Sequence, residues 1–98
     1  MKFSKFITEN RRLLTLQMLR QEPDYKLNDG VIHTALDGMG HGVSHDTVAT
    51  DLSWLEEQGL VSLSNMGPMT IAHIKKRGVD VALGHVIVPG IERPQPGE

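Results

Sequence analysis

Ser44-His45-Asp46-Thr47-Val48-Ala49-Thr50-Asp51-Leu52-Ser53-Trp54-Leu55-Glu56-Glu57-Gln58-Gly59-Leu60-Val61 reads as a capped helix running into a strand. Ser44 can close the N-terminus by accepting from the backbone N–H of Asp46 or Thr47. Asp46 in the first turn suits the helix dipole. Val48, Leu52 and Leu55 recur at i, i+4 and i+7 and form an inward stripe. Gly59 is a natural C′ residue. Trp54 lies off the stripe, nearer Thr47, Asp51 and Gln58. It reads as a side chain wedged against a neighbouring element, since Trp buries a large area; the other reading is an anchor at a protein interface.

Upstream, Gly38, Gly40 and Gly42 crowd into five residues and mark a tight turn where positive φ is expected. Before it, Asn28 or Asp29 caps a second helix with Val31, Ile32, Ala35, Leu36 and Met39 as its apolar residues. Residues 3–20 form a first helix, with Phe6, Leu13, Leu16 and Arg20 near one stripe. Leu14 and Met18 broaden its apolar face enough for a second packing surface. Pro23 and Asp24 end it, and Tyr25–Asn28 is read as a connector.

Downstream, Leu60–Leu63 alternates, Asn65–Pro68 turns, and Met69–Ile74 makes a second strand, so the pair is a β-hairpin. Lys75–Leu83 is a last helix with Val79, Ala82 and Leu83 inward, stopped by Gly84. These elements place one domain at residues 1–84 and an extended, proline-containing tail at 85–98, where Val86-Ile87-Val88 is apolar enough to dock. Met18, Met39, Met66 and Met69 read as core filler.

Helix, helix, glycine-rich turn, helix, hairpin, helix is the order of a winged helix-turn-helix, an α+β fold that is mainly α with a small β-hairpin. A helix-turn-helix places its second helix in the DNA major groove. Ser44, His45, Thr47 and Thr50 would then approach bases. Lys75, Lys76 and Arg77 would meet phosphates, with Arg11, Arg12 and Lys26 as further candidates. A short basic run can equally be a solvated helix start, and the hairpin tip at Asn65–Pro68 has no cation.

Composition narrows the classes. The 98 residues suit one domain, and the absence of cysteine excludes a disulfide scaffold, a thiol enzyme and a thiolate metal site. The apolar run Leu13–Leu19 is too short and polar to span a membrane, so a cytoplasmic protein is expected. The net charge of -2 hides a sharp partition: residues 1–28 are net +3, residues 29–61 carry six acids and no Lys or Arg, and residues 62–98 are net +1. Phosphate neutralisation dominates non-specific DNA affinity, so the expected reading helix is unusual in having no cation. Asp46 and Asp51 would repel phosphates if they faced them.

Other chemistry is weakly supported. His41 and His45 are four apart but separated by the turn, with His33 nearby, so they share no helix face for a metal. Glu56-Glu57 and Asp46/Asp51 point to different faces and do not form an acid–base pair. No serine carries a nucleophile motif, and the glycines are not followed by Gly-Lys-Ser/Thr. The expectation is a non-enzyme without cofactor or metal.

Residues 44–61 resemble the recognition helix and strand start of ArsR- and MarR-type winged-helix regulators, and Ile74-Lys75-Lys76-Arg77-Gly78 resembles the helix start after their wing. Gly40–Ser44, Asp51–Val61, Arg77-Gly78, Asp80–Ala82 and Val88-Pro89-Gly90 through Arg93-Pro94 are similar to a family of small proteins of Mu-like phages and prophages labelled ArsR-type regulators. The resemblance implies a phage-encoded dimer that binds double-stranded DNA. It departs at Thr50 and Asp51, where ArsR-type helices carry Arg or His, and in the lack of cysteine, so metal-responsive regulation does not carry over. The leading expectation is a DNA-binding transcriptional regulator, a homodimer built through the first helix, last helix and tail. The alternative is a winged-helix protein-interaction module, such as an assembly or DNA-packaging accessory with a phage protein partner. The acidic face from Asp29 to Glu57 motivates that alternative.

Overall fold

In a computed structural model, which describes residues 2–95, the chain runs α1 (Lys2–Gln21), β1 (Lys26–Asn28), α2 (Asp29–Gly38), α3 (His45–Glu57), β2 (Val61–Met66), β3 (Met69–Ile74) and α4 (Lys76–Ala82). Met1 and the last three positions of the expected tail, 96–98, lie outside the described residues. Among the described residues the fold is α+β: four helices and one antiparallel sheet of order β1-β3-β2.

The helix caps form as their residue types dictate. Asn28 Oδ1 accepts from Val31 N at 2.9 Å, and Ser44 Oγ accepts from Thr47 N at 3.1 Å. The hairpin pairs Val61 with Ile74 through to Met66 with Met69, leaving Gly67 and Pro68 as a two-residue turn. Leu27, Ala72 and Leu63 lie in one row across the sheet, and Val61 and Ile74 face the same core. That core joins Leu13, Leu16 and Leu19 of α1, Ile32 and Leu36 of α2, the Val48/Leu52/Leu55 stripe of α3, and Val81 and Ala82 of α4.

Several expectations are corrected. Tyr25–Asn28 is not merely a connector: Lys26, Leu27 and Asn28 pair with His73, Ala72 and Ile71. Tyr25 adopts φ 60 and aims the chain into this strand. Three residues are too few to show a period-2 pattern, and their partner strand lies more than forty residues away. Phe6 is 54% exposed, because packing on α1 starts beyond it, at the half-buried residues 7–10. Leu83, expected inward, is exposed, as are Val31 and Met39 of the α2 apolar set and Met66 and Met69; of the four methionines read as core filler, Met18 packs on the core. Among the three turn glycines only Gly40 has positive φ (+92), since Gly38 still belongs to α2.

After α4 the chain folds back on its own domain. Val88 and Ile91 are buried in the common core, while Ile87 is exposed. Glu92 N donates to Glu9 O at 3.2 Å, which holds this strap along α1.

Candidate nucleic-acid interface

The residues expected to approach bases all lie at the start of α3. Ser44 Oγ is engaged in the cap and lies 3.1 Å from Thr47 Oγ1, so these two hydroxyls already serve the helix terminus. The His45 ring stacks on His33 with centroids 3.8 Å apart and planes at 15°. His33 Nε2–H donates to Val43 O at 2.7 Å, which fixes that ring and, through the stack, the His45 ring. Thr50 is exposed one turn further on.

Lys75, Lys76 and Arg77 stand at the other end. The Arg77 guanidinium donates to the Gln58 carbonyl just past the α3 C-terminus. That contact satisfies an orphan carbonyl and places a cation at the negative end of the helix dipole. Lys76 Nζ lies 3.5 Å from Asp80 Oδ2, an i,i+4 pair whose exposed lysine gives it small energetic weight. Lys75 is the N-cap residue of α4 without a side-chain cap bond. The thirteen residues of α3 span about 20 Å, so the two expected groups are separated by the length of the helix.

The inner side of α3 holds what sequence reasoning missed. Asp51 is buried and accepts from Arg11 Nε at 2.5 Å and Arg11 Nη2 at 3.2 Å. It therefore faces α1 and not a phosphate, and Arg11, 7% exposed, is not available to DNA. Arg12 is engaged too. Its Cζ sits 3.9 Å from the Trp54 ring centroid, its Nε is 3.9 Å from Asp51 Oδ1, and its Nη1 donates to Gly90 O at 3.0 Å. Burial pulls the Arg12 guanidinium below its ordinary value, and Asp51 opposes that pull. Trp54 is thus wedged against α1 and the C-terminal strap, as its position off the apolar stripe suggested. Beside this seam, His41 Nε2–H donates to Asn10 Oδ1 and Asn10 Nδ2 donates to Glu92 Oε1, both at 2.7 Å. Burial first, and the Arg11 cation second, hold His41 below its ordinary pKa. The i+4 step from Asp51 to Leu55 and the doublet Arg11-Arg12 were visible, but nothing local says that they meet.

The outer flank of α3 is different. A groove of about 340 Å³ lies between α3 and the hairpin, lined by Asp29, Ala49, Leu52, Ser53, Glu56, Leu63, Asn65 and Thr70. Glu56 Oε2 accepts from Leu63 N at 2.9 Å, and Asp29 Oδ1 accepts from Thr70 N at 3.3 Å. Residues 29–74, from α2 through β3, contain no Lys or Arg. Among the described residues, no group of three His, Asp or Glu side chains is placed to hold a metal ion, and no helix is long and apolar enough to cross a membrane.

No protein-family model matches the chain, and no solved structure matches it. It is 44% identical over 66 residues to an uncharacterized protein of Haemophilus influenzae, covering 67% of this chain and 64% of that protein. It is 38% identical over 90 residues to the uncharacterized protein gp26 of Escherichia phage Mu, covering 92% of this chain and 93% of gp26. At that identity over nearly the full length of both proteins, the chain belongs to the family of phage Mu gp26.

Proposed function

We propose that this chain is a phage winged helix-turn-helix protein whose α3–hairpin face binds a cationic protein partner. The supporting observation is the charge of that face. The outward residues of α3 include Asp46, Glu56 and Glu57, and no Lys or Arg occurs from residue 29 to residue 74. DNA would meet carboxylates there, whereas phosphate neutralisation needs Lys and Arg. Electrostatic complementarity with a basic protein surface steers encounter and excludes like-charged surfaces.

Direct DNA reading by an ArsR-like regulator is the second reading. Two observations favour it: a capped α3 following α2 across residues 39–44, and the exposed run Lys75-Lys76-Arg77 at the far end of α3. A homodimer would present two such helices.

The test is selection of sheared phage and host DNA on the purified protein at physiological salt. The partner reading expects no enriched sequence. It also expects a phage protein that co-purifies with the wild type and with Lys75→Glu/Lys76→Glu, but is lost with Asp46→Lys/Glu57→Lys. Enrichment of a two-fold symmetric sequence, abolished by Lys75→Glu/Lys76→Glu, would overturn it in favour of the regulator.

A further inference from the structure

We infer that the groove between α3 and the hairpin is the docking site for a Lys- or Arg-bearing segment of a protein partner, with one cationic side chain seated in it. This rests on the partner reading and names the chemistry that its face recognises. The groove has an apolar floor from Ala49, Leu52 and Leu63 and carboxylates at Asp29 and Glu56. A Lys or Arg side chain has the matching build, an aliphatic stem that packs on apolar surface and a charged head that seeks carboxylates.

The charge is not answered among the described residues. Glu9, Asp51 and Asp80 each stand within ion-pair distance of a basic side chain, whereas Asp29 and Glu56 form no ion pair among the described residues. Their carboxylates are nevertheless fixed. Glu56 Oε2 is held by Leu63 N, and Asp29 Oδ1 by Gly30 N at 3.0 Å and by Thr70 N. One oxygen of each is thus tied to backbone and the other remains for a guest. A volume of about 340 Å³ admits one long side chain. Met66 and Met69, exposed at the hairpin tip, extend the apolar surface that an adjoining residue of the segment would cover.

The experiment titrates the full chain into a fluorescein-labelled peptide of lysine and leucine residues and, separately, into a labelled DNA duplex, both at physiological salt. The expected result is saturable peptide binding that weakens about tenfold in Glu56→Gln and in Asp29→Asn and is unchanged in Asp24→Asn. The two conservative amides keep an oxygen for the backbone N–H groups, so the fold is retained, and a matching urea midpoint checks this. Asp24→Asn removes an equal charge from the exposed turn after α1, away from the α3–hairpin face. Equal weakening by all three variants would mean diffuse charge attraction and overturn the groove. Absence of peptide binding would also overturn it, and so would DNA binding that the groove variants strengthen. If the peptide fails while a phage partner still depends on Asp46 and Glu57, the groove is refuted and the partner reading stands. If a DNA sequence is selected, that reading falls as well.

Discussion

Asp51 and Glu56 lie five residues apart on α3 and meet opposite surroundings. Asp51 faces α1, is 4% exposed and is clasped by Arg11 with Arg12 close by. Glu56 faces the hairpin, is exposed, and among the described residues is held by one backbone N–H and no cation. The inner seam is matched because a carboxylate removed from water must be compensated where it stands. The outer flank can leave carboxylates unpaired because water solvates them. The unmatched charge on that flank is what can answer to a partner, whereas the matched charge holds the fold.

The largest effect expected from breaking this contrast is at the seam. Asp51→Ala strands Arg11 in the interior and should lower stability by about 3–5 kcal/mol, read from urea unfolding. A domain of this size has about 5–15 kcal/mol in all. Glu57→Gln should change it by less than about 0.5 kcal/mol. A similar loss for both would erase the distinction between the two flanks.

Gly90 comes next. It has φ +100, and a Cβ there would lie 2.8 Å from the Trp54 ring. Gly90→Ala should lower stability by about 1–3 kcal/mol, and faster amide exchange at residues 88–92 should show that the strap has lifted from the seam. Unchanged exchange would mean that Trp54 moves aside instead.

Ser44→Ala should lower stability by about 1 kcal/mol through loss of the α3 cap, and Ser44→Asp should retain that cap. If Ser44 instead served DNA, the Asp variant would be stable yet lose whatever duplex affinity the wild type has.

The smallest effect is a pH dependence from His41. Burial and Arg11 hold its imidazole below the ordinary 6.5. The unfolded chain therefore binds a proton near pH 6.5 that the folded chain refuses. The resulting stability is complete above about pH 6.5 and falls as the pH drops toward the folded value. His41→Gln, which can still donate to Asn10, should flatten the change in urea midpoint between pH 7.0 and pH 5.5. An equal slope in both proteins would assign it to other groups.

The caps at Asn28 and Ser44, the Val48/Leu52/Leu55 stripe and the two-residue hairpin turn were legible because each is a local rule acting within a few residues. The strand at Lys26–Asn28 was not, because its stability comes from β3 and not from its own pattern. Of the candidate site, the sequence indicated the lack of cations around α3 and the basic run after the hairpin. It did not indicate that the Ser44 and Thr47 hydroxyls meet at that cap or that Arg77 closes the far end of the same helix.

By itself, then, the sequence determined the helices, their ends and the partition of charge along the chain, since propensity, capping and composition are properties of near neighbours. Only the tertiary structure decided which charges are matched. Arg11 meets Asp51 across forty residues and Arg12 meets Gly90 across seventy-eight. Such meetings follow from how α1, α3 and the C-terminal strap pack, and burial then decides whether a carboxylate must find a cation inside the fold or can await one from outside.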